Sequence, residues 1–354
     1  MRGRGALDNP SGRFEKLDLT NEPETYNALL EAGTEEEDDQ QIRTEVFKDT
    51  SRTIISTNDS PDVGMEATIN PYRGCEHGCI YCYARPGHEY LGLSAGLDFE
   101  SKIFVKPDAA SLLVEKLSSK TWQPKVITLS GVTDCYQPLE RKLKITRGCF
   151  EVLRDFRNPA AIITKNALVT RDIDIFKEMA QYDCIGVNIS VTTLDGKLAR
   201  AMEPRASQPI QRLKAIEALA KENIPVGIMI GPVLPGLTEH EIPAILKAVA
   251  DAGARSANYT MLRLPYGVKD LFQTWLAKHY PDRAQKILNR LKSMRKGKLY
   301  DSEFGTRMRG IGPHADQVSE MFALYKKKYN LNRRANLTTK HFRRDARSEQ
   351  LSLL

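Results

Sequence analysis

From about residue 66 to residue 265 the chain alternates short β-branched apolar runs with longer stretches of helical period. Residues 67–70, 126–129, 161–164, 185–191, 225–230 and 257–262 read as strands, with a further short strand at 53–56. Between them the pattern predicts helices over 107–117, with Asp108 as N-cap, and over 139–156, 171–180, 209–221 and 239–252. Short apolar strands separated by helices argue parallel pairing with right-handed crossovers. Six such βα units predict an α/β fold, a partial (βα)6 TIM-like barrel rather than a closed eight-fold one. Ligands of parallel α/β folds sit at the carboxyl ends of the strands. That places on one rim the loop after the first strand, Ser130-Gly131-Val132-Thr133-Asp134, Lys165, Ser190 through Thr193, and Gly231-Pro232.

The flanks differ from this middle in charge. Residues 1–62 carry a net −8, residues 63–277 a net +3 and residues 278–354 a net +12, which together make the chain's +7. The expected organisation is an acidic, partly disordered N-terminal arm (1–62), with one short helix at 25–32 and the acidic run 35–39. The barrel (63–265) and a basic helical C-terminal extension (266–354) follow. The extension is predicted helical over 269–278, 282–295 and 315–329. Its lysines and arginines could neutralise phosphates of DNA or RNA, and equally they suit a solvated surface. No apolar run approaches the roughly 20 residues that span a bilayer, and the first residues lack the apolar core of a secretory signal. A cytoplasmic protein without membrane association is expected, with its six cysteines as thiols.

Three of those cysteines fall in the loop after the first strand, Asn70-Pro71-Tyr72-Arg73-Gly74-Cys75-Glu76-His77-Gly78-Cys79-Ile80-Tyr81-Cys82-Tyr83-Ala84. The spacing is C-x3-C-x2-C. Thiolates this close suit an iron–sulfur cluster, and three of them leave one iron of a four-iron cube open. The alternative is zinc closed by His77 or His88, in a nucleic-acid-binding module without catalysis, although no second cysteine knuckle accompanies the loop. Three separate buried thiols would be the blandest outcome.

C-x3-C-x2-C after a first strand, with Tyr81 before the third cysteine, resembles the signature of radical S-adenosylmethionine enzymes. Tyr81-Cys82-Tyr83-Ala84 and Glu203-Pro204-Arg205 resemble the spore photoproduct lyase-related branch, the DNA repair photolyase-like proteins. The resemblance implies a [4Fe–4S] cluster on Cys75, Cys79 and Cys82 whose open iron takes S-adenosylmethionine and cleaves it to a 5′-deoxyadenosyl radical. It implies Lys165 for the cofactor carboxylate, Thr133 and Asp134 for its amino group, and Ser190 for the ribose, with Asn188 on the same strand face. Arg205 is expected either on the cofactor carboxylate or paired with Glu203. Gly227 through Gly231 would back the adenine, and Tyr81 and Tyr83 would wall the site. A low-potential donor, flavodoxin or ferredoxin, is implied, and lyase-like chemistry on nucleic acid is the leading expectation. A peptide or small-molecule substrate is the alternative. The branch keeps a cysteine as hydrogen-atom donor where this chain has Gly131, so Cys135 is a substitute relay candidate.

Overall fold

The computed structural model describes residues 3–10, 13 and 42–345. The acidic run 35–39 and the helix expected at 25–32 lie outside the described residues. Ten strands are described: β1 (Glu45–Lys48), β2 (Ile55–Thr57), β3 (Ala67–Ile69), β4 (Tyr72–Arg73), β5 (Lys102–Val105), β6 (Ile127–Leu129), β7 (Ala160–Thr164), β8 (Ile185–Ser190), β9 (Val226–Val233) and β10 (Ser256–Met261). The main sheet runs β10-β9-β8-β7-β6-β3-β2. Its first six members pair in parallel and in chain order, and β2 closes the edge antiparallel to β3. This is the singly wound partial barrel that the six apolar runs predict.

Most barrel-strand residues are buried, because helices cover the outer face. Ile127, Leu129, Ile162, Val187, Ile189 and Ile228 join Phe150, Phe176, Ile216 and Leu246 of the covering helices in one core. The alternate positions Gly186, Asn188 and Ser190 take the other face of β8, the barrel interior.

Several elements depart from the expected pattern. The helix over 139–156 is two, Glu140–Leu143 and Ile145–Asp155, with Lys144 between them in the left-handed region at φ 54°. The buried Glu140 carboxylate accepts the N–H groups of Thr146 and Arg147, and so caps the second helix. Asp108 does occupy the N-cap of the Ala109–Ser118 helix, but its side chain makes no capping bond. The helices after β7 and β9 open with 3-10 turns and become α-helical only at Ile173 and Ile242. Helix Gly196–Met202 is unpredicted, although Asp195 caps it through Lys197 N and Leu198 N. A small second sheet, β1-β5-β4, also escapes sequence reading, since its strands are two to four residues long and far apart in the chain.

The C-terminal extension contributes helices Val268–His279, Ala284–Ser293 and Pro313–Lys328. Beyond them the chain runs beneath the amino ends of the strands. Asn332 bridges Ser256, Arg333 N donates to Arg255 O, Thr338 N to Asp183 O, and Arg343 N to Phe156 O. Ala335 and Leu337 sit under Gly186, where an added Cβ would stand 3.1 Å from that of Ala335. Arg343 Nε donates to Asp155 O at 2.7 Å, and Arg344 donates to Ser119 O and Trp122 O. These guanidinium groups satisfy carbonyls left open where two helices end. Arg344→Ala should therefore cost about 1–2 kcal/mol of folding free energy. A urea midpoint equal to wild type would show that the tail does not clamp the barrel floor.

Candidate active site

The cysteine loop follows β3 and is shaped by two glycines with positive φ, Gly74 at 82° and Gly78 at 64°. Neither has room for a side chain: a Cβ on Gly74 would lie 2.9 Å from Ile103 Cδ1, and one on Gly78 would lie 2.7 Å from Glu100 Oε2. Backbone turns bring the cysteines round, with Gly78 N on Cys75 O and Cys82 N on Cys79 O. Cys75 N donates to Phe99 O, and Ile80 N to Met202 O, tying the loop to its surroundings. All three thiols are free, with Cys75 and Cys79 buried and Cys82 half-buried. Burial pushes all three up, so each resists becoming a thiolate until a metal compensates.

Buried charge fixes the loop from behind. Arg85 is fully buried, donates to Cys79 O, Ala95 O and Gly96 O, and pairs with Glu100. Glu100 also accepts Gly5 N and Ala6 N, each at 2.8 Å, so the start of the chain crosses the loop. The crossing is tight, because a Cβ on Gly5 would stand 1.8 Å from Gly78 O. Glu76 accepts from Thr44 Oγ1, Leu139 N and Arg205 Nη1. Sequence reasoning missed Arg85, Glu100 and Glu76, whose partners come from distant segments.

Asp134 and Glu203 tie the rim together. Asp134 accepts Thr164 Oγ1, Lys165 N and Tyr136 N, and lies 3.3 Å from His77 Nδ1. Burial alone would raise its carboxyl, but His77 and those donors hold it down to about 2. Glu203 is buried against Arg212, with Tyr81 and Thr192 donating to the same carboxylate. Burial again opposes ionisation, but Arg212 and Lys165 hold its carboxyl at about 2. Arg212 also donates to Ser190 O and Ser207 O.

The remaining expected site residues are placed as follows. Lys165 follows β7 with its ammonium 5.9 Å from the Tyr81 ring centre, and among the described residues no carboxylate lies within 4.0 Å of it. Ser190 ends β8 and is buried, with Asn188 half-buried on the same face. Thr133 is buried with its hydroxyl donating to Tyr72 O. Gly231 lies in β9 against Met229, and Gly227 has Asn188 Oδ1 and Ser256 Oγ each 2.5 Å from an added Cβ. Tyr83 is 47% exposed and donates to Gly131 O. Two expectations need correction. Arg205 pairs with Glu76 instead of Glu203, whose carboxylate Arg212 takes. Cys135 is fully buried in the core between sheet and helices, so it offers no surface to a substrate radical.

The histidines proposed for a zinc site face elsewhere. His77 lies between Asp134 and Asn166, and His88 Nε2 is 2.9 Å from Lys102 O. Among the described residues no three His, Cys, Asp or Glu side chains converge to hold a single metal ion. The thiolates of an iron–sulfur cube bind separate irons and need no such common point.

Residues 69–249 match the Radical SAM superfamily. The chain belongs to that superfamily. It is 34% identical over 217 residues to an uncharacterized protein of Mycobacterium tuberculosis (strain ATCC 25618 / H37Rv), covering 61% of this chain and 64% of the relative. The match thus leaves about a third of that relative's length unspanned. An uncharacterized protein of Methanocaldococcus jannaschii is 27% identical over 247 residues, covering 70% of this chain and 88% of its own. Among solved structures, spore photoproduct lyase complexed with dinucleoside spore photoproduct superposes with a TM-score of 0.56 at 16% identity, covering 80% of this chain and 78% of that one. A mutant of that lyase with bound AdoMet and the same ligand gives 0.58 at 15% identity, over 80% and 79% of the two chains. The fold is that of the spore photoproduct lyase branch.

The Glu203–Arg212 pair makes the rim acid-sensitive. A carboxyl held near 2 in the fold, against an ordinary 4.5, contributes stability present above about 4.5 and lost as pH falls toward 2. Glu203→Gln should leave Arg212 buried without its countercharge and cost about 3–5 kcal/mol at pH 7. It should also flatten the acid limb of stability against pH. An unchanged denaturation midpoint or an unchanged acid limb would show that the pair does not hold the rim.

Proposed function

We propose that this chain is a radical S-adenosylmethionine enzyme acting on nucleic acid. The observation that carries the reading is the cysteine loop: three free thiols in C-x3-C-x2-C, on a glycine-kinked turn at the carboxyl end of the first barrel strand, walled by buried pairs. The residues suit a [4Fe–4S] cluster, since the thiols are desolvated, His77 lies between Asp134 and Asn166, and His88 is on Lys102 O. Such a cluster, when bound, supplies the electron that cleaves S-adenosylmethionine to a 5′-deoxyadenosyl radical.

The chain's own residues would do the holding. Cys75, Cys79 and Cys82 bind the cluster, and the unpaired Lys165 receives the cofactor carboxylate. Ser190 and Asn188, on the interior face of β8, offer polar groups to its ribose. Asp134 supports that rim by fixing Lys165 N and Thr164, its own oxygens being already taken. A low-potential flavodoxin or ferredoxin would deliver the electron.

Nucleic acid as substrate is supported by the fold shared with a lyase solved with dinucleoside spore photoproduct. One observation favours a second reading, a peptide or small-molecule substrate. At Gly131, where the branch's thiol would stand, an added Cβ would lie 2.9 Å from Thr68 Cγ2, so a side chain there would require Thr68 to move. The chain's own hydrogen-atom donor, if it uses one, would have to stand elsewhere than at Gly131.

Anaerobic reconstitution with iron and sulfide, then dithionite and S-adenosylmethionine, should release 5′-deoxyadenosine. Cys79→Ala should lose both the product and the brown charge-transfer colour. A colourless wild type, or product formation equal in the two proteins, would refute the reading.

A further inference from the structure

Just beyond the carboxyl end of β10, Arg263 presents a guanidinium that makes no direct ion pair among the described residues, its charge reaching Asp62 only through space. Among the described residues no carboxylate lies within 4.0 Å of it. Its Nε is buried and, among the described residues, has no hydrogen-bond partner. Nη1 donates only to the thioether of Met308, a weak acceptor, at 3.2 Å. An unpaired buried donor costs about 1–3 kcal/mol. A group left so in a folded protein calls for an explanation, such as a bound ion.

Two neighbouring arginines are engaged. Arg307 holds Asp62 and Ser60, while Arg295 donates to the carbonyls of Leu262, Thr306 and Arg307. Asp62 is further occupied by Gly305 N, so it has no oxygen turned to Arg263 within pairing distance. Met308 is itself fixed, its carbonyl accepting Met261 N and Thr260 Oγ1. The guanidinium lies 5.7 Å from the ring centre of Tyr83, which is 47% exposed. Val132 and Tyr266 add apolar exposure on loops of the same rim. The outer N–H groups of a guanidinium without an ion pair, beside a half-exposed aromatic ring, suit a phosphate carrying a base that can stack.

We propose that Arg263 seats a phosphodiester of a single-stranded nucleic-acid substrate, with a neighbouring base against Tyr83. The inference rests on the nucleic-acid reading above and assigns its electrostatic contact to the mouth instead of the basic tail. The tail arginines Arg333, Arg334, Arg343 and Arg344 belong to the segment under the amino ends of the strands, where two of them cap carbonyls. The same guanidinium could take the carboxylate of S-adenosylmethionine, so the test includes both anions.

The experiment is fluorescence anisotropy of a labelled single-stranded oligonucleotide with full-length protein across a salt series, with S-adenosylmethionine binding measured on the same samples. Arg263→Gln should raise the oligonucleotide Kd about tenfold and reduce the log–log salt slope by about 0.7. Arg263→Met, which keeps an unbranched chain against Met308, should do the same, so misfolding of one variant leaves the other. The double variant Arg333→Gln/Arg334→Gln should bind like wild type. Oligonucleotide binding unchanged in the Arg263 variants overturns the proposal, as does wild type that binds none at low salt. A loss confined to S-adenosylmethionine also overturns it and gives Arg263 to the cofactor. Release of 5′-deoxyadenosine without nucleic acid tests the radical reading separately.

Discussion

Four buried or nearly buried carboxylates set the geometry of the mouth: Glu76, Glu100, Asp134 and Glu203. Each is met by a cation or a ring of N–H donors from a different stretch of chain. Glu100 takes Arg85 and the N–H groups of Gly5 and Ala6, while Glu203 takes Arg212 and Tyr81. Burying ions is costly unless they are paired and their remaining hydrogen-bonding capacity is met. The arrangement is therefore all-or-none, and it presents the three thiols in a fixed array. The thiols are desolvated as a result, a state that suits soft-metal ligation far better than free thiolates.

The same network explains why some of the mouth is legible in the sequence and some is not. The six apolar runs give the strand order directly, because a strand covered on both sides must be apolar throughout. The rim positions of Lys165 and Ser190 follow from that order. Arg85 and Glu100 could not be found this way, since their roles depend on Gly5, Cys79, Ala95 and Gly96 meeting in space. Glu203 and Arg205 looked like a local pair, yet Glu203 reaches into helix Pro209–Lys221 for Arg212 and Arg205 turns out to Glu76. Cys135 shows the limit of reading by proximity. It is four residues from Gly131, and the intervening turn carries it into the apolar core.

Net charge is the signal that needs the structure most. The +12 of the last 77 residues suggests a phosphate-binding stripe, but six of its basic side chains are engaged within the fold. Arg290 pairs with Glu239, Arg307 with Asp62 and Lys296 with Glu303, while Arg295, Arg343 and Arg344 donate to backbone carbonyls. The described final segment lies under the barrel floor, opposite the mouth. Net charge alone therefore does not distinguish residues that hold the fold from residues available to a ligand. The N-terminal arm has a similar lesson, since the described residues 3–10 pack across the cysteine loop rather than trailing from it.

The central claim is that the cysteine loop holds a cluster with one iron open to S-adenosylmethionine. Electron paramagnetic resonance of the anaerobically reconstituted, dithionite-reduced protein tests it most directly. The account predicts a reduced-cluster signal that shifts when S-adenosylmethionine is added, because the cofactor ligates the open iron. A cluster signal indifferent to the cofactor, or no cluster signal at all, would contradict it.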